Sequence, residues 1–105
     1  MNGKTRKQQI EKMLAEDPND PFLRYGLAME HVSEGEDEAA VGCFQGLLAV
    51  DPHYVAAYMQ VSQALIRLGR NSDARTYLNQ GIAAARQQGN AHAAEEMQGF
   101  LANLA

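Results

Sequence analysis

Apolar residues in this chain return every three or four positions and nowhere alternate with polar ones, which is the pattern of helices that each bury one face and not of strands. From Pro21 the core stripe is Leu23, Leu27 and His31, and the next stretch carries Ala40, Phe44, Leu47 and Leu48 at the same spacing. Ala57, Val61, Ala64, Leu65 and Leu68 form a third stripe, followed by Ala74, Tyr77, Leu78, Gly81, Ile82 and Ala85. The two ends add shorter amphipathic stretches: residues 4–16, with Ile10, Met13 and Leu14 facing inward, and residues 91–104, with Ala94, Met97, Leu101 and Leu104. Boundary residues agree with these segments. Asp20 is expected to cap a helix that has Pro21 at its first position, where the missing N–H costs nothing. Gly35 and Gly69 are expected to close helices in the left-handed conformation, and Asn71 or Ser72 to cap the helix after Gly69. The reading is an all-α chain of six helices.

The same residues recur at a fixed interval. Asp17-Pro18 returns as Asp51-Pro52, 34 positions later, and the same shift pairs Leu27 with Val61, Ala28 with Ser62, Gly35 with Gly69 and Ala40 with Ala74. It also aligns the N-terminal stretch with the second helix of each copy: Ile10, Phe44 and Leu78 in one column, Leu14, Leu48 and Ile82 in another, Ala15, Ala49 and Ala83 in a third. Each copy is a pair of helices, and the ends are half-copies. Units of this kind bury their apolar faces only against their neighbours, so an antiparallel stack with terminal helices at both ends is expected.

A helix pair repeating every 34 residues resembles the tetratricopeptide repeat. In the first copy Leu27, Ala28, Gly35, Ala40, Phe44 and Pro52 match that family's pattern, and in the second Tyr58, Val61, Ser62, Leu65, Gly69, Ala74, Leu78 and Gly81. The departures are His31 in place of an aromatic, Leu47 in place of alanine, Arg24 in place of a large apolar residue, and Arg86 in place of the second closing proline. The last of these extends the second helix of its copy towards Gln88. The resemblance divides one domain, 1–105, into an N-terminal half-repeat at 4–16, repeats at 21–54 and 55–88, and a C-terminal helix at 91–104. Small residues at Ala28/Ser62 and Ala40/Ala74 are expected where paired helices cross closely.

The resemblance also implies a concave face, lined by the first helix of each pair, that binds a peptide or helix of a partner protein. On this chain that face would be Phe22, Tyr25, Met29 and Ser33, then Ala56, Met59, Gln63 and Arg67. The pattern of residues supports it independently. Beside its core stripe, the helix from Pro21 carries a second apolar stripe, Phe22, Tyr25, Met29 and Val32, that one buried face does not require. Aromatic and methionine side chains suit recognition. The alternative is that these residues are further core, covered by the C-terminal helix folding back. A clamp for a carboxylate terminus is not expected, because Tyr25, Met29 and Gln60 stand where lysine and asparagine would serve, with Arg67 the nearby cation.

Charge and chemistry narrow the function further. Nine Lys and Arg against 13 Asp and Glu give a net charge of −4, the wrong sign for a nucleic-acid binder. The basic cluster Lys4, Arg6, Lys7 and Lys12 reads as a solvated helix face. No stretch has the length or apolarity of a membrane span or signal peptide, and a single cysteine, Cys43, permits no internal disulfide, so a cytoplasmic location is expected. His31, His53 and His92 form no metal-binding pair, and Cys43 has no evident base. The acidic run Glu34, Glu36, Asp37 and Glu38 lacks the spacing of a calcium loop and suits the first turn of the following helix. No catalytic residue, metal or cofactor is expected. The expected function is a non-enzymatic adaptor that holds a protein or peptide. The alternative is a structural subunit that self-associates through its terminal helices, by exchange of one of them into a homodimer for example.

Overall fold

A computed structural model of the protein describes residues 5–104, which form six α-helices and no strand: α1 Arg6–Glu16, α2 Pro21–Ser33, α3 Asp37–Val50, α4 Val55–Arg67, α5 Asn71–Gln87 and α6 Ala91–Ala102. The expected start of the first helix at residue 4, and Lys4 itself, lie outside the described residues. Each helix packs on its neighbours in the chain, and α4 also touches α6. The result is an elongated stack of antiparallel pairs measuring 48 × 28 × 20 Å, as a chain of units with nearest-neighbour contacts should be.

Local sequence sets most of the helix ends. Asp20 accepts a hydrogen bond from the Leu23 N–H at 3.1 Å, and Pro21 opens α2. Thr5 and Gln8 exchange side-chain bonds with each other's backbone N–H at 3.1 and 3.0 Å, a reciprocal cap that starts α1. Gly35 and Gly69 take positive φ values of 75° and 77° and end α2 and α4. The capping of α5 differs from expectation. Neither Asn71 nor Ser72 caps it: Asn71 is already the first helical residue, and Arg70 stands at the boundary without a side-chain cap. The turn at Gly69 is so tight that the helix resumes at once, with the Ala74 N–H bonded to the Arg70 carbonyl at 3.0 Å.

Small residues make the stack close. Ala28, Ala40, Ser62 and Ala74 are fully buried together with Phe44, Leu47, Val61, Leu78 and Met97. Ser62 satisfies its hydroxyl by donating to the Tyr58 carbonyl at 2.6 Å, so the buried polar atom carries no desolvation penalty of the unpaired kind. Tyr58 in turn donates its hydroxyl to the Pro52 carbonyl at 2.7 Å and pins the start of α4 to the preceding turn.

Burial at the N-terminal end is weaker than the apolar pattern predicts. Ile10 is buried, Leu14 only partly, and Met13 points outward with 47% of its surface exposed. In α2 the buried residue is Ala28, while Leu23, Leu27 and His31 are half-buried. The physical reason is positional: α3 is sandwiched between α2 and α4, whereas among the described residues α1 packs chiefly on α2. Ala15, Ala49 and Ala83 all lie on the exposed side, so that column repeats outside the core. At the other end α5 runs to 17 residues against 14 for α3. With Arg86 in place of a closing proline, nothing stops the helix where α3 stops.

Candidate functional site

The face formed by the first helices begins at Tyr25. Its ring lies 5.1 Å from that of Tyr54 at the start of α4, at 30°, and 6.0 Å from Phe44 of α3, at 59°. These tilted arrangements suit aromatic quadrupoles and fill the seam between α2 and α4. Burial pushes the Tyr25 phenol above its ordinary pKa. Met29 and Val32, further along α2, also pack partly against the core. Part of the second apolar stripe is therefore spent on holding α2 to α3 and α4.

The next seam is open. Between α4 and α6 lies a cleft of about 310 Å³, lined by Val55, Ala56, Met59 and Gln60 on one side and by Asn90, His92, Ala93 and Glu96 on the other. Its floor is apolar and its far rim carries Glu96, which pairs with His92 at 3.3 Å. The contrast with the first seam is traceable to sequence. Asn90, at the boundary of α6, stands where Tyr54 stands for α4, and its short side chain turns inward to cap α6 by accepting from the Ala93 N–H at 3.1 Å. The C-terminal helix packs on α5 and the edge of α4 rather than folding back over α2.

The remaining residues expected on this face divide. Ala56 is exposed, and Gln63 and Met59 are half-buried. Phe22 is 74% exposed and lines a separate cleft between α1 and α2 together with Ile10 and Met13. Ser33 is exposed at the end of α2 and donates to the Glu30 carbonyl at 2.8 Å. Arg67 is engaged. Its guanidinium grips Asp37 with Nε at 3.1 Å and Nη2 at 2.9 Å, a forked pairing across the seam between α3 and α4.

That pairing belongs to a pattern the sequence concealed. The acidic run does more than favour a helix dipole: Asp37 binds Arg67, Glu38 binds Arg70, and Lys7 of α1 donates to Glu34 and Glu36 at 3.0 and 3.2 Å. The turn between α2 and α3 thus ties α1 on one side to the end of α4 on the other. Partners 27 to 32 positions apart could be matched only once the repeat geometry was known. His31 Nδ1 lies 2.7 Å from Glu36, so His31, Glu34 and Glu36 could present ligand atoms within 4.8 Å of one another. The Lys7 ammonium already bridges both carboxylates. His53 and His92 lie elsewhere, and Cys43, half-buried with its thiol pKa raised by desolvation, borders a small cleft with Leu14, Pro18, Arg24 and Leu27. No helix among the described residues is long and apolar enough to cross a membrane.

Comparison with known proteins gives a consistent result. A tetratricopeptide repeat profile matches residues 32–97. A TPR repeat-containing protein of Pseudomonas aeruginosa is 34% identical over 95 residues, covering 90% of each chain. The crystal structure of a tetratricopeptide repeat domain protein from Salinibacter ruber superposes with a TM-score of 0.73 at 36% identity, over 78% of this chain and 91% of that one. A Bordetella parapertussis protein solved in solution superposes with a TM-score of 0.81 at 28% identity, over 93% of this chain and 85% of the other.

Proposed function

This chain belongs to the tetratricopeptide repeat family, and we propose that it is a non-enzymatic adaptor that takes a short apolar peptide, or one face of a partner's helix, against α2, α4 and α6. Tetratricopeptide repeats are generally protein–protein interaction modules. The observation that carries the reading for this chain is the open seam at Met59. A flexible, polarisable side chain lies half-buried on an apolar floor of Val55, Ala56 and Ala93, in a cleft of about 310 Å³. That volume fits an anchoring side chain, and methionine adapts to whatever fills it.

Tyr25, Met29, Ala56, Met59 and Gln63 then form the working surface, with Phe22 and Ser33 at its margins and Arg67 held to Asp37. The ligand is mainly apolar because this surface supplies few unpaired donors, and no step of chemistry is asked of it. The test is selection of peptides from a random display library, followed by anisotropy titration against wild type and Met59→Glu, with helicity checked by circular dichroism. Selected apolar peptides that lose at least roughly tenfold in affinity to the variant, about 1.4 kcal/mol, support the adaptor. Peptides that bind both proteins equally place the binding surface elsewhere.

A further inference from the structure

The first and last described helices, α1 and α6, are opposite halves of a repeat. In the repeat register Met13 corresponds to Leu47, and Ile10 to Phe44. Leu47 and Phe44 are fully buried, because α2 lies on α3 as the first helix of its pair. Among the described residues no first helix lies on α1. What remains is a cleft of about 230 Å³ between α1 and α2, floored by Ile10 and Leu23. Its flanks are Phe22, 74% exposed, and Met13, 47% exposed, two of the large apolar side chains left most open.

At the other end no second helix follows α6 among the described residues. The α6 pattern repeats that of α4 with a shift of 36 positions, so Ala93 and Met97 answer to Ala57 and Val61, and all four are buried. Phe100 and Leu101 answer to Ala64 and Leu65. The α4 pair is buried, since α5 follows and packs on it, whereas Phe100 and Leu101 pack on the core on one side and stay partly exposed on the other. Among the described residues, then, no second helix packs on α6 as α5 packs on α4, and no first helix packs on α1 as α2 packs on α3.

We infer that copies of this chain join head to tail, α6 of one copy docking on α1 and α2 of the next to complete a repeat between them. The partner this face fits is a second copy, because its shape is the one a first helix of this repeat fills, and among the described residues α6 is the first helix on which no second is packed. Charge agrees. Helix α6 carries Glu95 and Glu96 and no lysine or arginine, while α1 carries Arg6 and Lys12 against Glu11 and Glu16, besides Lys7, which Glu34 and Glu36 already hold. Arg6 stands at the rim of the cleft, its side chain largely exposed even while it reaches Glu30. The two faces differ, so each copy offers one and receives the other, and the assembly extends as an open chain rather than closing as a symmetric dimer. One helix wedged into one cleft buries less than a standard interface of about 1,600 Å², so the association is weak and depends on concentration.

Sedimentation velocity over a concentration series reaching the millimolar range tests this. Wild type should gain mass with concentration and pass beyond two copies. Phe22→Glu, which spoils the cleft, and Leu101→Glu, which spoils the α6 face, should each remain single. Mixed together they should form a one-to-one pair and nothing larger, because each retains the face the other has lost. Met13→Glu and Phe100→Glu serve as second variants should either first one lose helicity. A wild type that stays monomeric throughout would falsify the joint and leave the cleft to a helix of a different protein. A mixture of the variants that stays monomeric while wild type associates would equally overturn it, since the interface would then join like faces.

Discussion

Gly81 of α5 lies so close to Tyr58 of α4 that a methyl group added to the glycine would come within 2.5 Å of the tyrosine Cβ, and within 2.6 Å of the Met97 sulfur. The Tyr58 Cβ is fixed to its own helix backbone and cannot swing away. Gly81 therefore sets the distance at which α4, α5 and α6 meet.

Gly81→Ala should destabilise the protein by roughly 1–3 kcal/mol through overpacking, even though alanine favours a helix interior by about 1 kcal/mol. Gly42 of α3 is the control, since a Cβ there meets nothing within 4 Å. Gly42→Ala should stabilise by up to about 1 kcal/mol. Urea unfolding of the two variants beside wild type gives both signs in one experiment, and equal shifts would remove Gly81 as the spacer.

Ala40 of α3, where a close helix crossing is expected, is fully buried. Ala40→Leu should part the helices and cost about 1–3 kcal/mol. A thermal midpoint unchanged from wild type would count against this crossing.

The attachment of α1 should respond to acid. The Glu36 carboxyl is held below its ordinary value of 4.5, first by the hydrogen bond with His31 and then by that with Lys7. A carboxyl lowered on folding contributes stability that is present above its unfolded pKa and is lost as pH falls through the lower, folded value. Glu38 behaves alike through its bond with Arg70. Wild type should thus lose stability between about pH 5 and pH 3, with backbone amides of α1 exchanging faster. Glu36→Gln should start lower at neutral pH and fall less. Identical pH profiles for the two proteins would show that the carboxylate does not couple α1 to the turn.

Arg67 belongs to the expected binding face but is committed to Asp37. Arg67→Gln should cost no more than about 1 kcal/mol of stability, as exposed pairs generally do, and should weaken a selected peptide far less than Met59→Glu. A loss of affinity as large as that of Met59→Glu would show that the guanidinium leaves Asp37 to meet the ligand.

Much of this was legible in the chain itself, for reasons that can be named. Six helices follow from apolar spacing, and their closures from Asp20, Pro21, Gly35 and Gly69, because these effects act within a few residues of backbone. The repeat and its family follow from Asp17-Pro18 and Asp51-Pro52 and the columns aligned with them. The Thr5–Gln8 cap at the start of α1 was not among the expected boundaries, although its spacing is that of a capping box. The fully buried Ala28, Ala40, Ser62 and Ala74 lie where small residues at matched repeat positions suggested close crossings.

Tertiary structure decided what depends on which helix lies beside which. Met13 and Leu47 share a repeat position, yet one is exposed and the other buried, because α2 lies over α3 and no first helix lies over α1 among the described residues. Tyr25 reads as a surface aromatic in α2 and is partly buried only because Tyr54 and Phe44 reach it from other helices. The acidic run reads as helix-dipole chemistry and serves as a brace only because Lys7, Arg67 and Arg70 arrive from distant parts of the chain. Periodicity records which side of a helix is apolar. What covers that side is a long-range fact, set by the packing of the neighbouring helices.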